Sequence, residues 1–169
     1  YLGASGAAGE IGHMTVAADG PACNCGNTGC LEMLASGKAV ARNAAARMKS
    51  GETTALSQLS GGNPENITAE MVAEAAAGGD ALSAKVLAEG ARYLGIGLVS
   101  LVNIFNRELI SRGGGMAELG DVFTGPARKM VTEQAFGISA GAVRIITAEL
   151  GNDAGIYGAA AYALDAINN

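Results

Sequence analysis

Apolar residues fall on one helical face through a long central stretch, and two short β-branched or apolar runs follow it. Leu82, Val86, Leu94, Leu98, Leu101, Val102 and Phe105 keep helical spacing and predict a helix over 81–105, capped by Asp80. Gly90, Gly95 and Gly97 inside it cost about 1 kcal/mol each relative to Ala, so another backbone is expected to come close there. Upstream, an Ala-rich helix is expected over 33–48, with Arg42 and Arg47 toward solvent. Thr68 predicts an N-cap for a helix through Ala77, ended by Gly78 and Gly79. Downstream, a helix is predicted over 121–136, with Pro126 tolerable only near its first turn. A last helix over 154–167 is capped by Asn152 and Asp153. Glu108 to Arg112 and Val143 to Thr147 read as strands. Strands alternating with helices imply right-handed crossovers and parallel pairing, hence an α/β layer. Residues 1–30 are turn-rich with one β-like run, Ile11 to Val16, and 50–66 read as a polar connection punctuated by Ser60-Gly61-Gly62-Asn63-Pro64.

The 169 residues suffice for one ordinary domain with a real core. Aromatic residues make up only 4% and Trp is absent, which suits helices packed closely on a sheet better than an aromatic-lined groove. The net charge of −5, with no Lys/Arg cluster, argues against a nucleic-acid surface and against a basic membrane-binding helix. No run approaches the roughly 18 apolar residues of a spanning helix, and no signal peptide is visible. The start, Tyr1-Leu2-Gly3, has no initiator Met and is read as the interior of a longer protein.

Three cysteines and the single histidine form the pattern His13-x9-Cys23-x-Cys25-x4-Cys30. Three thiolates and one imidazole make a common tetrahedral zinc set, with no position left for water, so the expected role is structural. Pro21, Gly26, Asn27 and Gly29 let the backbone curl between the ligands. A disulfide is the competing reading, but Cys23 and Cys25 are poorly placed to bridge each other and one thiol would remain. Buried free cysteines are the other, in a segment too polar and Gly-rich for a core. A loop so poor in apolar residues needs a staple. Gly113-Gly114-Gly115 follows a predicted strand and precedes a helix, where open α/β sheets place ligands.

The cluster lies inside a longer string: Gly9-Glu10-Ile11-Gly12-His13, then Gly20-Pro21-Ala22-Cys23-Asn24-Cys25-Gly26-Asn27-Thr28-Gly29-Cys30-Leu31-Glu32. This resembles the signature of the ROK family of glucokinases, related sugar kinases and repressors. The similarity continues through Leu101 to Asn106, Gly113 to Gly115 and Ala148 to Gly155, and so covers essentially the whole chain. The resemblance implies an α/β fold of the actin/hexokinase-like (ribonuclease H-like) ATPase type. On it, residues 1–32 are a zinc and sugar-binding motif and 33–169 the remainder of a carboxy-terminal kinase domain. It implies zinc on His13, Cys23, Cys25 and Cys30, and a hexose, glucose foremost, met by Glu10, His13 and Glu32. Carboxylates accept hydrogen bonds from vicinal hydroxyls and reject analogues lacking them, and one imidazole nitrogen can hold metal while the other meets the sugar. Without the resemblance, Glu10 is a loop carboxylate and Glu32 an early-helix residue favoured by the macrodipole.

The resemblance also implies that Gly113, Gly114 and Gly115 lie beside ATP, which carries Mg²⁺, in a cytoplasmic homo-oligomeric enzyme. Two residues depart from the family: Arg107 stands where Pro is usual, and Arg112 ends a strand that is usually apolar to its tip. A charge there needs a partner or water. The family's phosphate-binding Asp-x-Gly-x-Thr loop and the Asp that acts as general base are not in these residues, and neither Asp19 nor Asp153 fills that role. No catalytic residue is therefore expected in this chain. A family repressor, which adds an amino-terminal helix-turn-helix, is the competing function.

Overall fold

The computed structural model describes residues 3–168, apart from the side chains of Asn152 and Asn168. Its spine is helix α5 (Ala81–Phe105), with the predicted bounds. Asp80 caps it by accepting from the Ser83 amide at 2.9 Å and the Ser83 hydroxyl at 2.6 Å. The same carboxylate takes the Thr54 hydroxyl and the Ala55 amide, both at 2.9 Å, and so ties a distant loop to the helix start. Burial pushes the Asp80 carboxyl up, but the bonds from Ser83, Ala55 and Thr54 outweigh it and bring it down to about 2.

Around the first half of α5 lie α1 (Leu31–Ala35), α2 (Gly37–Lys49), α3 (Leu56–Leu59) and α4 (Ala69–Ala77). The single helix expected over 33–48 is thus two. Ser36 breaks it, with extended backbone at ψ 163° and a side chain that accepts from the Ala39 amide to start α2. The connection expected to be polar contains α3, whose Leu56 is fully buried. Thr68 caps α4 as predicted, taking the Met71 amide at 3.3 Å. Leu31, Val40, Leu56, Val72, Val86, Leu87 and Phe123 form this first core. On its rim Arg47 pairs with Glu89 at 2.7 Å and joins α2 to α5.

The second half of α5 packs on α7 (Asp121–Gln134) and the sheet, with Leu98, Val102, Ala127, Val131 and Ile145 as core. The α5 glycines are needed for close approach, though mostly of side chains rather than backbone. A β-carbon at Gly90 would lie 2.9 Å from the Phe123 ring, and one at Gly95 would lie 2.7 Å from the Met130 sulfur and 3.4 Å from the Ala127 Cα. Pro126 sits in the second turn of α7, later than predicted. The carbonyl it leaves without an amide belongs to Val122, a residue that is 54% exposed.

Strands β1 (Leu109–Arg112) and β2 (Arg144–Thr147) pair in parallel, with Ile110 opposite Ile145, as the alternation of elements implied. Short helices α6 (Gly115–Glu118) and α8 (Gly137–Ala142) flank α7. A 3-10 turn over Gly151–Asp153 leads into α9 (Ala154–Asn168); the side chain of Asn152, expected to cap it, lies outside the described residues. Parallel sheets are ordinarily covered on both faces. Here Leu109 and Ile146 on the outer face are exposed, and so are Ile156, Tyr157, Tyr162, Leu164 and Ile167 of α9, at 59–80%. Among the described residues β1 has a partner on one edge only. Among the described residues no helix is long and apolar enough to cross a membrane.

Candidate metal and sugar site

The segment predicted as a β-like run is a 3-10 turn, Ile11–His13, followed by one antiparallel bridge between Thr15 and Cys30. Turn formers at 17–29 fold the chain back before a strand can extend. The Val16 amide donates to the Gly29 carbonyl at 2.9 Å, and the Leu31 amide to the Met14 carbonyl at 2.9 Å. Between them Ala22 bridges Thr28, and the Cys23 amide donates to the Asn27 carbonyl at 2.8 Å. Gly29 has φ +69°, and a β-carbon there would lie 1.6 Å from the Ala17 carbonyl oxygen, so no other residue closes this loop.

This folding brings the four predicted ligands together. The His13 nitrogen and the sulfurs of Cys23, Cys25 and Cys30 offer donor atoms within 4.8 Å of one another. His13 Nδ1 is 3.6 Å from Cys23 Sγ, and Cys25 Sγ is 3.7 Å from Cys30 Sγ. A zinc–sulfur bond of about 2.3 Å gives a tetrahedral edge of roughly 3.8 Å, so these separations suit a shared ion. All three cysteines are unbridged, which sets the disulfide reading aside. The backbone amide of Asn27, donating to Cys25, holds that thiol below its ordinary range. Burial pushes Cys30 up to about 11. A cation is what lets a thiol so buried serve as a thiolate. The donor set and its geometry are compatible with a structural metal ion.

The opposite edge of the His13 ring faces the first turn of α1. Its Nε2 lies 4.0 Å from the Glu32 carboxylate. Gly12 packs beside that side chain, where a β-carbon would be in ordinary contact with Glu32 Cβ at 3.6 Å. Glu10 begins the same 3-10 turn, with its carbonyl accepting from the His13 amide at 3.0 Å. Both carboxylates are solvent-exposed. Their chain neighbours Ile11 and Leu31 line a cleft of about 300 Å³ together with Arg112, Gly113 and Met116.

The glycine turn follows β1 as predicted. Gly114 adopts φ +79°, all three glycines are exposed, and Gly113 lies against the Ala148 to Gly151 turn. Arg112, the charge at the strand tip, donates to the Thr124 hydroxyl of α7, while its Nε is buried with no partner. Burial and the charge of Arg128 pull its pKa down. One residue of the candidate metal loop was not singled out for chemistry in the sequence. The Asn27 side-chain amide lies 3.6 Å from Cys30 Sγ and 2.9 Å from the Thr15 hydroxyl. Its place between two cysteines was the available signal.

Comparison with known proteins follows the same residues. The model of the ROK family matches residues 1–166. The chain is 39% identical over 157 residues to a glucokinase of Halalkalibacterium halodurans, covering 92% of this chain and 47% of that protein. It is 34% identical over 136 residues to a xylose repressor of Caldicellulosiruptor bescii, covering 80% of this chain and 34% of the repressor. Among solved structures, a ROK family glucokinase from Streptomyces griseus in complex with glucose and AMPPNP superposes with a TM-score of 0.81 at 34% identity, over 93% of this chain and 51% of that one. The chain therefore spans about half the length of the glucokinases it matches. Its fold is the α/β, actin/hexokinase-like fold of these sugar kinases, and the chain belongs to the ROK family.

Proposed function

We propose that these residues are the carboxy-terminal half of an ATP-dependent hexose kinase of the cytoplasm, converting glucose to glucose 6-phosphate. The observation that carries this reading is the two-sided placement of His13, with Nδ1 toward the thiols and Nε2 toward Glu32. Zinc on His13, Cys23, Cys25 and Cys30 would supply a fixed staple and no reacting atom. His13 is then held with Nε2 at the sugar, while Glu10 and Glu32 accept from its hydroxyls. Gly113, Gly114 and Gly115 lie beside the nucleotide, where the absence of side chains lets phosphate approach the backbone. The general base and the other phosphate loop belong to the amino-terminal half. Catalysis is then largely positioning and charge stabilisation, with Mg²⁺ carried by ATP.

Elemental analysis should find about one zinc per chain, and Cys25→Ser should lose it. Protein free of metal, with two of the thiols joined, would overturn the assignment. In the full-length protein, Glu10→Gln and Glu32→Gln should each weaken glucose binding by about 1–3 kcal/mol in calorimetry. Unchanged affinity in both would remove the sugar from this site. Similarity to a xylose repressor favours a second reading, a sugar-sensing domain that acts without phosphoryl transfer. Specific DNA binding by the full-length protein, released by sugar and without ADP formation, would select it.

A further inference from the structure

We infer that Asn27 is the positioning residue of the metal site, its side-chain amide holding the Cys30 sulfur and the His13 backbone in place once the ion is bound. The inference rests on the metal reading above. Three acceptors surround Asn27 Nδ2: the Thr15 hydroxyl at 2.9 Å, the His13 carbonyl at 3.5 Å and Cys30 Sγ at 3.6 Å. An amide has two N–H donors. One is taken by Thr15, and the other is left to face Cys30 Sγ and the His13 carbonyl.

The need for that second donor arises with the metal. Cys30 Sγ lies 3.5 Å from the His13 carbonyl and donates to it as a thiol. A ligand sulfur has given up its proton to bind the ion, so this bond lapses on loading. Two acceptors are then in want of a donor: a thiolate on a residue with 0% exposure, and the carbonyl of the histidine ligand. The Asn27 amide already lies within reach of both. The backbone carbonyl of Asn27 meanwhile accepts from the Cys23 amide at 2.8 Å and its backbone amide donates to Cys25, so the residue touches all four ligands or their backbones. Through His13 the effect reaches the ring edge that faces Glu32. Partners of this kind orient ligands and set their basicity.

The test is competition for Zn²⁺ against a chromophoric chelator, paired with the absorption spectrum of the Co²⁺-loaded chain. Asn27→Ala should weaken Zn²⁺ binding about 10- to 100-fold and shift the sulfur-to-cobalt charge-transfer band. Thr15→Val, which removes that hydroxyl's loop ties to the Asn27 amide and the Thr28 carbonyl but no contact to a ligand, should leave both at parent values. Asn27→Ser, which keeps a hydroxyl donor at shorter reach, should bind more tightly than Asn27→Ala. Parent-like affinity and spectrum in Asn27→Ala, or an equal loss in Thr15→Val, would overturn the inference. If Asn27→Ala loses its helical circular dichroism, the cobalt bands of Asn27→Ser and Thr15→Val decide instead. A shift in the former alone supports the role, and no shift in either refutes it. A parent chain that takes up no zinc would instead defeat the metal reading itself.

Discussion

Asp80 shows how much one side chain can organise, because its carboxylate caps α5 and holds Thr54 and Ala55 at the start of α3. Replacing it with Ala should cost about 2 kcal/mol at neutral pH, the upper range for an N-cap, since the loop tie goes as well. Its folded pKa, about 2, lies below the ordinary 3.8. The stabilisation is therefore fully present above about pH 4 and is lost as pH falls through about 2. Urea melts of the parent and Asp80→Ala at pH 7 and pH 2 should show the gap closing in acid, and a gap independent of pH would exclude the carboxylate as its source. His13 stands at the other extreme of legibility. Spacing marked it as a candidate ligand, but only the folded loop shows which nitrogen faces the thiols and which faces Glu32. Arg112 was legible as a misplaced charge, and its buried Nε without a partner bears that out. The Asn27 amide was not legible, since two of its three acceptors come from residues 12 and 14 positions away in the chain.

Helices whose ends carry their own chemistry were read closely from sequence. Asp80 and Thr68 are caps that act within one turn, and α5 and α4 begin where these residues place them. The break at Ser36 was missed because the Ala-rich run on both sides favours a helix, and the competing cap is made by one hydroxyl. Helices α6 and α8 were missed because elements of four and six residues hold no full period of a pattern. The contact between α5 and α7 gives one half of a paired test of the glycines. Gly95→Val should push Met130 and the α7 backbone away and cost about 1–3 kcal/mol, the usual penalty of overpacking. Gly158 lies inside α9 with nothing within 4 Å of where its β-carbon would stand. Gly158→Ala should therefore stabilise by up to about 1 kcal/mol. Thermal melts that rank the two variants the other way would refute this packing.

The bare sheet face, the free edge of β1 and the exposed apolar residues of α9 bear on what the molecule needs around it. Exposed apolar patches and open strand edges recruit partners or cause aggregation. The glucokinases matched are about twice this chain's length, so the remainder of such a polypeptide, or a second copy, is the expected cover. The same division separates the chemistry. On the proposed function the metal loop, one side of the sugar pocket and the glycine turn lie in these residues, whereas the base and phosphate loop lie outside them. Glucose-dependent ADP release, measured side by side on the 169-residue chain and on a polypeptide of full glucokinase length that contains it, bears most directly on this account. Steady turnover by the longer polypeptide and none by the shorter chain is the predicted result. Turnover by the 169-residue chain alone, or sugar binding without ADP release by the longer one, would contradict it.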